Sequence, residues 1–279
     1  MKLRVVELLL ISTIPAMILA QQGVPSLGLI AATLIGGTLA AGSANAFNMV
    51  IESDLDKLMK RTAKRPLVTG DISQRHAFIF ALIIGLISLV IFQIFTQTLA
   101  TILTAFAIAF YVLVYTMALK RHTSQNIVWG GIAGCMPVLI GWAAVTNSLS
   151  WTAVAFFLVI FFWTPPHFWA LAIKYKDDYE AAAIPMLPVV ASRTVVLRNM
   201  WFHTISMVLS SVALIQLADL QWWVLVVTIA LGLIFAFQLI TLKENADNYN
   251  KIAGNIFHWS ITYLTLFSGL LVIAQLLKA

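Results

Sequence analysis

Charge is what this chain most lacks. Asp, Glu, Lys and Arg together make up 10% of its 279 residues, where a soluble domain carries about 25%. Hydrophobic residues reach 61% and the mean hydropathy is +0.94. A chain so poor in charge cannot cover itself with a hydrated surface, so a soluble globular enzyme is excluded and a lipid bilayer is the expected solvent. Also missing is the ten-residue alternation of apolar and polar positions that marks barrel strands. Only helices and closed barrels satisfy every backbone group inside lipid, so the long unbroken apolar runs predict an all-α, polytopic membrane protein. Cysteine is nearly absent. The single Cys135 excludes an intrachain disulfide and a cysteine-based metal cluster, and it reads as a small apolar packing residue.

Apolar runs predict about nine transmembrane helices, at 4–20, 27–51, 76–95, 98–118, 127–146, 150–173, 196–217, 221–242 and 255–277. The second is long enough to tilt or to protrude from the bilayer. The first resembles a signal peptide, with Lys2 and Arg4 ahead of an apolar stretch and small residues at Ala16 to Ala20. Its early turns also carry Glu7, and the expectation is a retained span.

The formal net charge of +6 would point to nucleic acid in a soluble protein. Its distribution excludes that here. Lys2 and Arg4 stand at the N-terminus; Lys57, Lys60, Arg61, Lys64, Arg65 and Arg75 follow the second span. Lys120 and Arg121 follow the fourth, Lys174, Lys176, Arg193 and Arg198 the sixth, and Lys243 and Lys251 the eighth. All of these fall on one side of a nine-span arrangement, and only Lys278 falls on the other. A wrong number of spans would scramble that segregation. Basic loops mark the cytoplasmic face, so the N-terminus and even-numbered loops are expected in the cytoplasm and the C-terminus outside. The short N-terminus favours a bacterial inner (plasma) membrane over an organelle.

Positive loops need Lys and Arg but not carboxylates, yet two of these loops hold both. Asn48, Glu52 and Asp56 are spaced by four, so on a continued helix they form one stripe. Arg61 and Arg65 repeat the spacing further on. Three oxygen-bearing side chains, two of them anionic, suit Mg²⁺, which binds through a few carboxylates and completes its shell with waters and phosphate oxygens. Arginines beyond them suit a diphosphate. A solvated loop of mixed charge is the bland alternative, but the stripe begins within an apolar span, where ionisable residues are usually functional.

The second cluster runs from Trp163 through Pro165, Pro166, His167, Lys174, Asp177 and Asp178 to Glu180. On a helix continuing past the prolines, His167, Lys174 and Asp178 share one face within about 20°. That alignment singles out His167, although a lone histidine on an apolar helix more often packs or hydrogen-bonds than binds a ligand. The tandem prolines are expected to open or kink the helix and expose backbone groups to a cavity.

These residues resemble the UbiA-type intramembrane prenyltransferase superfamily. Its first acidic motif, Asn-x3-Asp-x3-Asp, is matched by Asn48, Glu52 and Asp56, with Glu52 standing where the family pattern has Asp. Met59 to Pro66, Leu119 to Asn126, Trp163 to Ile173 and Pro185-Met-Leu-Pro188 look specific to the haem-modifying branch. The likeness spans nearly the whole chain, and the second acidic motif is irregular, with Ala181 and Ala182 where a carboxylate would sit.

The resemblance implies a single transmembrane prenyltransferase domain over residues 1–279, with helices around a central cavity open to the bilayer. It implies farnesyl diphosphate as donor, haem B as acceptor and Mg²⁺ as cofactor. A haem A synthase or oxidase-assembly protein is the partner it points to. Asn48, Glu52, Asp56 and one of Asp177 or Asp178 would hold the metal. Arg61, Arg65 and Lys174 would neutralise the diphosphate, and His167 would touch the haem or the diphosphate. A quinone-pathway prenyltransferase is the nearest rival. A transporter using the carboxylates as an ion path is the second, weakened by the absence of an evident internal repeat.

Overall fold

A computed structural model describes the backbone of residues 3–60, 62–243 and 248–278, with side chains from Ile11 onward. Among the described residues the chain is helical and has no strand. Nine long helices follow in order: α1 Leu3–Gln21, α2 Leu27–Ile51, α3 Gln74–Phe95, α4 Thr98–Leu119, α5 Asn126–Thr146, α6 Trp151–Lys174, α7 Arg193–Leu217, α8 Trp222–Thr241 and α9 Tyr249–Lys278. Eight of them, α2 to α9, are long and apolar enough over the described residues to cross a bilayer. Short helices Ser53–Leu58, Pro66–Thr69, Lys176–Ala181 and Leu187–Val190 lie in the loops after α2 and α6.

Local chemistry sets several of the helix starts. Ser26, Ser73, Ser150 and Ser192 each stand at an N-cap, and each hydroxyl accepts from the backbone N–H three residues on, satisfying a donor that the helix itself cannot. α5 stops at Asn147, which takes a left-handed conformation with φ 51° and accepts from Leu99 N at 3.1 Å, linking this end to the start of α4.

Helix-to-helix packing follows membrane rules, with small residues allowing close approach and hydroxyls bonding across interfaces. α2 lies along α3, where Ser43 donates to Ala81 O and Ser88 to Gly36 O, both at 2.7 Å. Gly141 of α5 meets α1 so closely that a Cβ there would lie 2.9 Å from the Thr13 carbonyl oxygen. The core centres on α6, which packs against α5, α7 and α9 and buries Phe156, Val159, Ile160, Trp163 and Trp169. On the outside, α3 leaves Phe80, Ile83, Leu86 and Ile94 exposed, as a lipid-facing helix should. Cys135 is fully buried and donates to Gly131 O, in keeping with a packing role.

Side-chain contacts join the helix ends at each end of the bundle. Lys278 at the close of α9 bonds Asp219 in the α7–α8 connection, and Thr152 at the start of α6 donates to Leu217 O at the end of α7. At the other end, Gln74 donates to Ser53 and Arg121 reaches Asp54.

Pro165 and Pro166 do not open the helix: they lie inside an uninterrupted α6, which neighbouring helices enclose, as membrane bundles allow.

Because the α1–α5 approach leaves no room for a side chain, Gly141→Val should destabilise the protein by about 1–3 kcal/mol. Gly134→Ala, whose Cβ would meet nothing within 4 Å, should leave the thermal midpoint in detergent unchanged. Equal midpoints for the two variants would refute the close approach.

Candidate active site

The first acidic stripe survives a break in its helix. α2 ends at Ile51, and Glu52 links it to Ser53–Leu58 with φ −103° and ψ 18°. Glu52 N still donates to Asn48 O and Asp56 N to Glu52 O, both at 2.9 Å, so the four-residue repeat crosses the junction. Asn48, Glu52 and Asp56 are 3%, 1% and 4% exposed. These three have left water behind.

Such carboxylates need countercharge, and the fold supplies it from two directions. After Met59 turns extended (φ −98°, ψ 124°) the chain doubles back through a turn in which Thr62 donates to Asp56 O at 2.9 Å. This return seats the Arg65 guanidinium on the Asp56 carboxylate. Arg65 therefore does not extend the stripe by another helical turn, as its spacing predicts; it folds back on it. Arg61 lies outside the described residues. From the other side, the last ten residues of α4, Phe110–Leu119, are wound as a π-helix, and Lys120 at its end pairs with Glu52.

One carboxylate oxygen remains bare. Glu52 Oε2 accepts from Asn48 Nδ2 at 2.7 Å and from Lys120, whereas Glu52 Oε1 is buried with no hydrogen-bond partner among the described residues. Asn48 Nδ2 also donates to Thr116 at 3.2 Å. The donor set of two carboxylates and an amide carbonyl, with an orphaned buried oxygen, fits a hard divalent cation completed by waters and phosphate oxygens.

Outside the buried stripe, Asp54 faces Arg121, whose guanidinium donates to both carboxylate oxygens at 2.9 and 3.0 Å. Those bonds hold the Asp54 carboxyl below the usual carboxylate range and raise Arg121 in return.

The second cluster also spans a helix junction. α6 ends at Lys174, and Tyr175 (φ −110°, ψ 30°) separates it from Lys176–Ala181. Tyr175 N donates to Leu171 O and Tyr179 N to Tyr175 O, both at 3.2 Å, the same pattern of bonds that crosses the junction at Glu52. Asp177 and Lys174 are exposed, Asp178 half-buried, and Lys174 Nζ sits 5.7 Å from the Tyr175 ring. Among the described residues no three Asp, Glu, His or Cys side chains come together as a metal-holding group, so Asp177 and Asp178 do not join Glu52 and Asp56 in this arrangement. The two acidic helices nevertheless share one end of the bundle. Leu55 and Met59 pack in one apolar cluster with Tyr179, Ala182, Ile184 and Met186.

His167 lies deep between α6 and α9. Its ring stacks between Trp163 and Phe257, with centroids 4.3 and 4.7 Å away. Nδ1 shares a 2.7 Å hydrogen bond with Ser260 Oγ, while Trp163 Nε1 donates to the Ser260 carbonyl. In this geometry the residue clamps α9 to α6.

Sequence reasoning missed Lys120 and Thr116. Lys120 sits in a stretch already notable for its resemblance, but positive-inside topology accounted for its charge. Thr116 carries no charge and follows no motif spacing. An apolar groove of about 540 Å³ between α2, α3 and α4, lined in part by Phe47, Leu82, Gly85 and Leu113, includes Ile51 and Met117, the sequence neighbours of Glu52 and Thr116.

Comparison with known proteins adds the lineage. The model of the UbiA prenyltransferase family matches residues 9–261. A protein named protoheme IX farnesyltransferase from Frankia casuarinae is 51% identical over 267 residues, covering 95% of this chain and 92% of that protein. Its namesake from Paenarthrobacter aurescens is 50% identical over 268 residues, 95% of this chain and 84% of that one. Among solved structures, a digeranylgeranylglyceryl phosphate synthase superposes with a TM-score of 0.80 at 16% identity, covering 98% of this chain and 95% of that one. A UbiA homologue from Archaeoglobus fulgidus bound to DMAPP and Mg²⁺ gives 0.71 at 18% identity, covering 97% of each chain.

Removing the cation from Glu52 gives a test of the electrostatics. Lys120→Met should destabilise the metal-free protein by on the order of 2 kcal/mol, less than for a fully buried pair because the lysine keeps part of its surface. Millimolar Mg²⁺ should then raise its thermal midpoint more than that of the wild type, since no ammonium competes for the oxygens. Equal midpoints and equal metal responses would contradict the pairing.

Proposed function

The chain belongs to the UbiA prenyltransferase family, and on that premise we propose that it transfers a farnesyl group from farnesyl diphosphate to a vinyl group of haem B, giving haem O. The observation that carries the reading is the buried Asn48–Glu52–Asp56 stripe, with its orphaned Glu52 Oε1, set between Arg65 and Lys120. The haem acceptor comes from the relatives about 50% identical to the chain, which carry the name protoheme IX farnesyltransferase.

Asn48, Glu52 and Asp56 are the residues that would hold Mg²⁺, with Asp177 or Asp178 approaching from the neighbouring helix once a diphosphate lies between. Bound there, the ion supplies charge stabilisation to the diphosphate oxygens. The rest falls to the chain itself. Arg65 and Lys120 neutralise the leaving diphosphate, joined by Arg61 and by Lys174 from the exposed end of α6. As the allylic carbon–oxygen bond breaks, its electron pair leaves with the diphosphate, and these cations stabilise the charge where it grows. The vinyl π electrons of haem then form the new carbon–carbon bond to the allylic carbon. Water adds to the resulting cation next to the porphyrin and gives up a proton, leaving the hydroxyl of the product. The groove between α2, α3 and α4 offers an apolar wall for the isoprenoid and shelters the cation from early quenching. His167 ties α6 to α9 through Ser260, and a direct contact to haem or diphosphate would fall to its other ring nitrogen, Nε2.

The site faces the cytoplasm of a bacterial inner membrane in this reading, which places farnesyl diphosphate on the side where basic loops gather. A haem A synthase or oxidase-assembly protein is the fitting recipient of the product.

The experiment uses purified protein in detergent with haem B, farnesyl diphosphate and Mg²⁺, followed by mass spectrometry of the haems. The wild type should yield haem O; Glu52→Gln and Asp56→Asn should each lose at least about 100-fold in rate, the scale seen when one electrostatic stabiliser is removed, while staying folded. Full activity in both variants would remove the metal assignment. Prenylation of an aromatic acid with haem B left untouched would move the chain to the quinone branch.

A further inference from the structure

The amide of Asn48 has two possible orientations, and only one leaves its carbonyl for a cation. Its neighbours decide which. One is the Glu52 carboxylate, an acceptor. The other is Thr116, fully buried, whose hydroxyl proton is already committed to the Tyr111 carbonyl at 2.9 Å. With that proton committed, the Thr116 oxygen can only accept. Both partners therefore require Nδ2–H, at 2.7 Å to Glu52 and 3.2 Å to Thr116, and Asn48 Oδ1 is turned away from both. Resting on the cation reading above, we propose that Thr116 is a positioning residue for the metal site, fixing the Asn48 amide so that Oδ1 faces the ion beside Glu52 Oε1.

The π-helix makes this possible. Thr116 donates five residues back, to Tyr111, and Lys120 N likewise bonds Tyr115 O at 2.9 Å. An α-helical turn holds one residue fewer, so α-winding would aim Thr116 at residue 112 and rotate both it and Lys120 away from α2. Room for this winding comes from α5, where Gly130 faces Tyr115 so tightly that a Cβ would lie 2.1 Å from the ring. π-winding is rare and is found frequently at functional sites. Here it delivers two side chains to the same carboxylate stripe, Thr116 to Asn48 and Lys120 to Glu52.

The test reads metal binding directly, without substrate, by titrating Mn²⁺ into detergent-solubilised protein and following free Mn²⁺ by electron paramagnetic resonance. Thr116→Val keeps the shape and removes the acceptor; its apparent Mn²⁺ Kd should rise on the order of fivefold, the loss of one hydrogen bond to a ligand. Thr116→Ser keeps the hydroxyl and should bind within about twofold of the wild type. Gly130→Ala, which displaces Tyr115 without touching the amide, should weaken binding in the same direction as Thr116→Val. Unchanged Mn²⁺ binding in Thr116→Val, or an equal loss in Thr116→Ser, would overturn the positioning role. Glu52→Gln runs alongside: if it too binds Mn²⁺ as the wild type does, the cation reading itself falls, an outcome separate from failure at Thr116 alone.

Discussion

Two carboxylates stripped of water, one helical turn apart at the end of α2, are the constraint around which this end of the protein is arranged. Glu52 and Asp56 retain 1% and 4% of their surface, and anions so placed persist only beside opposite charge. The chain meets that demand twice over. It reverses after Met59 to lay Arg65 on Asp56, and it winds the end of α4 as a π-helix to bring Lys120 to Glu52. Without metal and diphosphate the two cations hold the site closed upon itself. In the proposed reading a divalent ion would take over the carboxylates and release both cations to the phosphate oxygens.

The bundle divides its labour accordingly. α6 with α5, α7 and α9 forms the buried core, tied by the Trp163–Ser260–His167 contacts and by large side chains such as Trp169 and Tyr263. α2, α3 and α4 are more exposed to lipid and carry the acidic stripe and the apolar groove beside it. Small side chains let them approach, as where a Cβ on Gly85 would lie 2.6 Å from the Ser43 hydroxyl. The acidic stripe thus lies at the edge of the buried core, beside the apolar groove.

Much of this was legible from residue order alone. Lipid leaves the backbone one open solution, and loop charges are segregated by topology, so the spans and their ends emerged close to the helices observed. The Asn48–Glu52–Asp56 stripe was legible because its hydrogen bonds bridge the junction at Glu52. Periodicity failed where the helix stopped. Asp177 and Asp178 sit on a separate short helix apart from Glu52 and Asp56, and Arg65 reached its partner by reversal instead of by helical repeat. His167 drew attention as a polar residue in an apolar helix, and its partners Ser260 and Phe257 come from α9, far along the chain. Lys120 and Thr116 were invisible for a similar reason, since their roles depend on π-winding and on the packing of α4 against α2.

The central claim is that Arg65 and Lys120 exchange the carboxylates for the diphosphate when metal binds. An experimental structure with Mg²⁺ and an unreactive farnesyl thiodiphosphate tests it most directly. The expected result has the Arg65 guanidinium and the Lys120 ammonium on phosphate oxygens, with Glu52 and Asp56 turned to the ion. Both cations still seated on Glu52 and Asp56, with the diphosphate bound elsewhere, would contradict it.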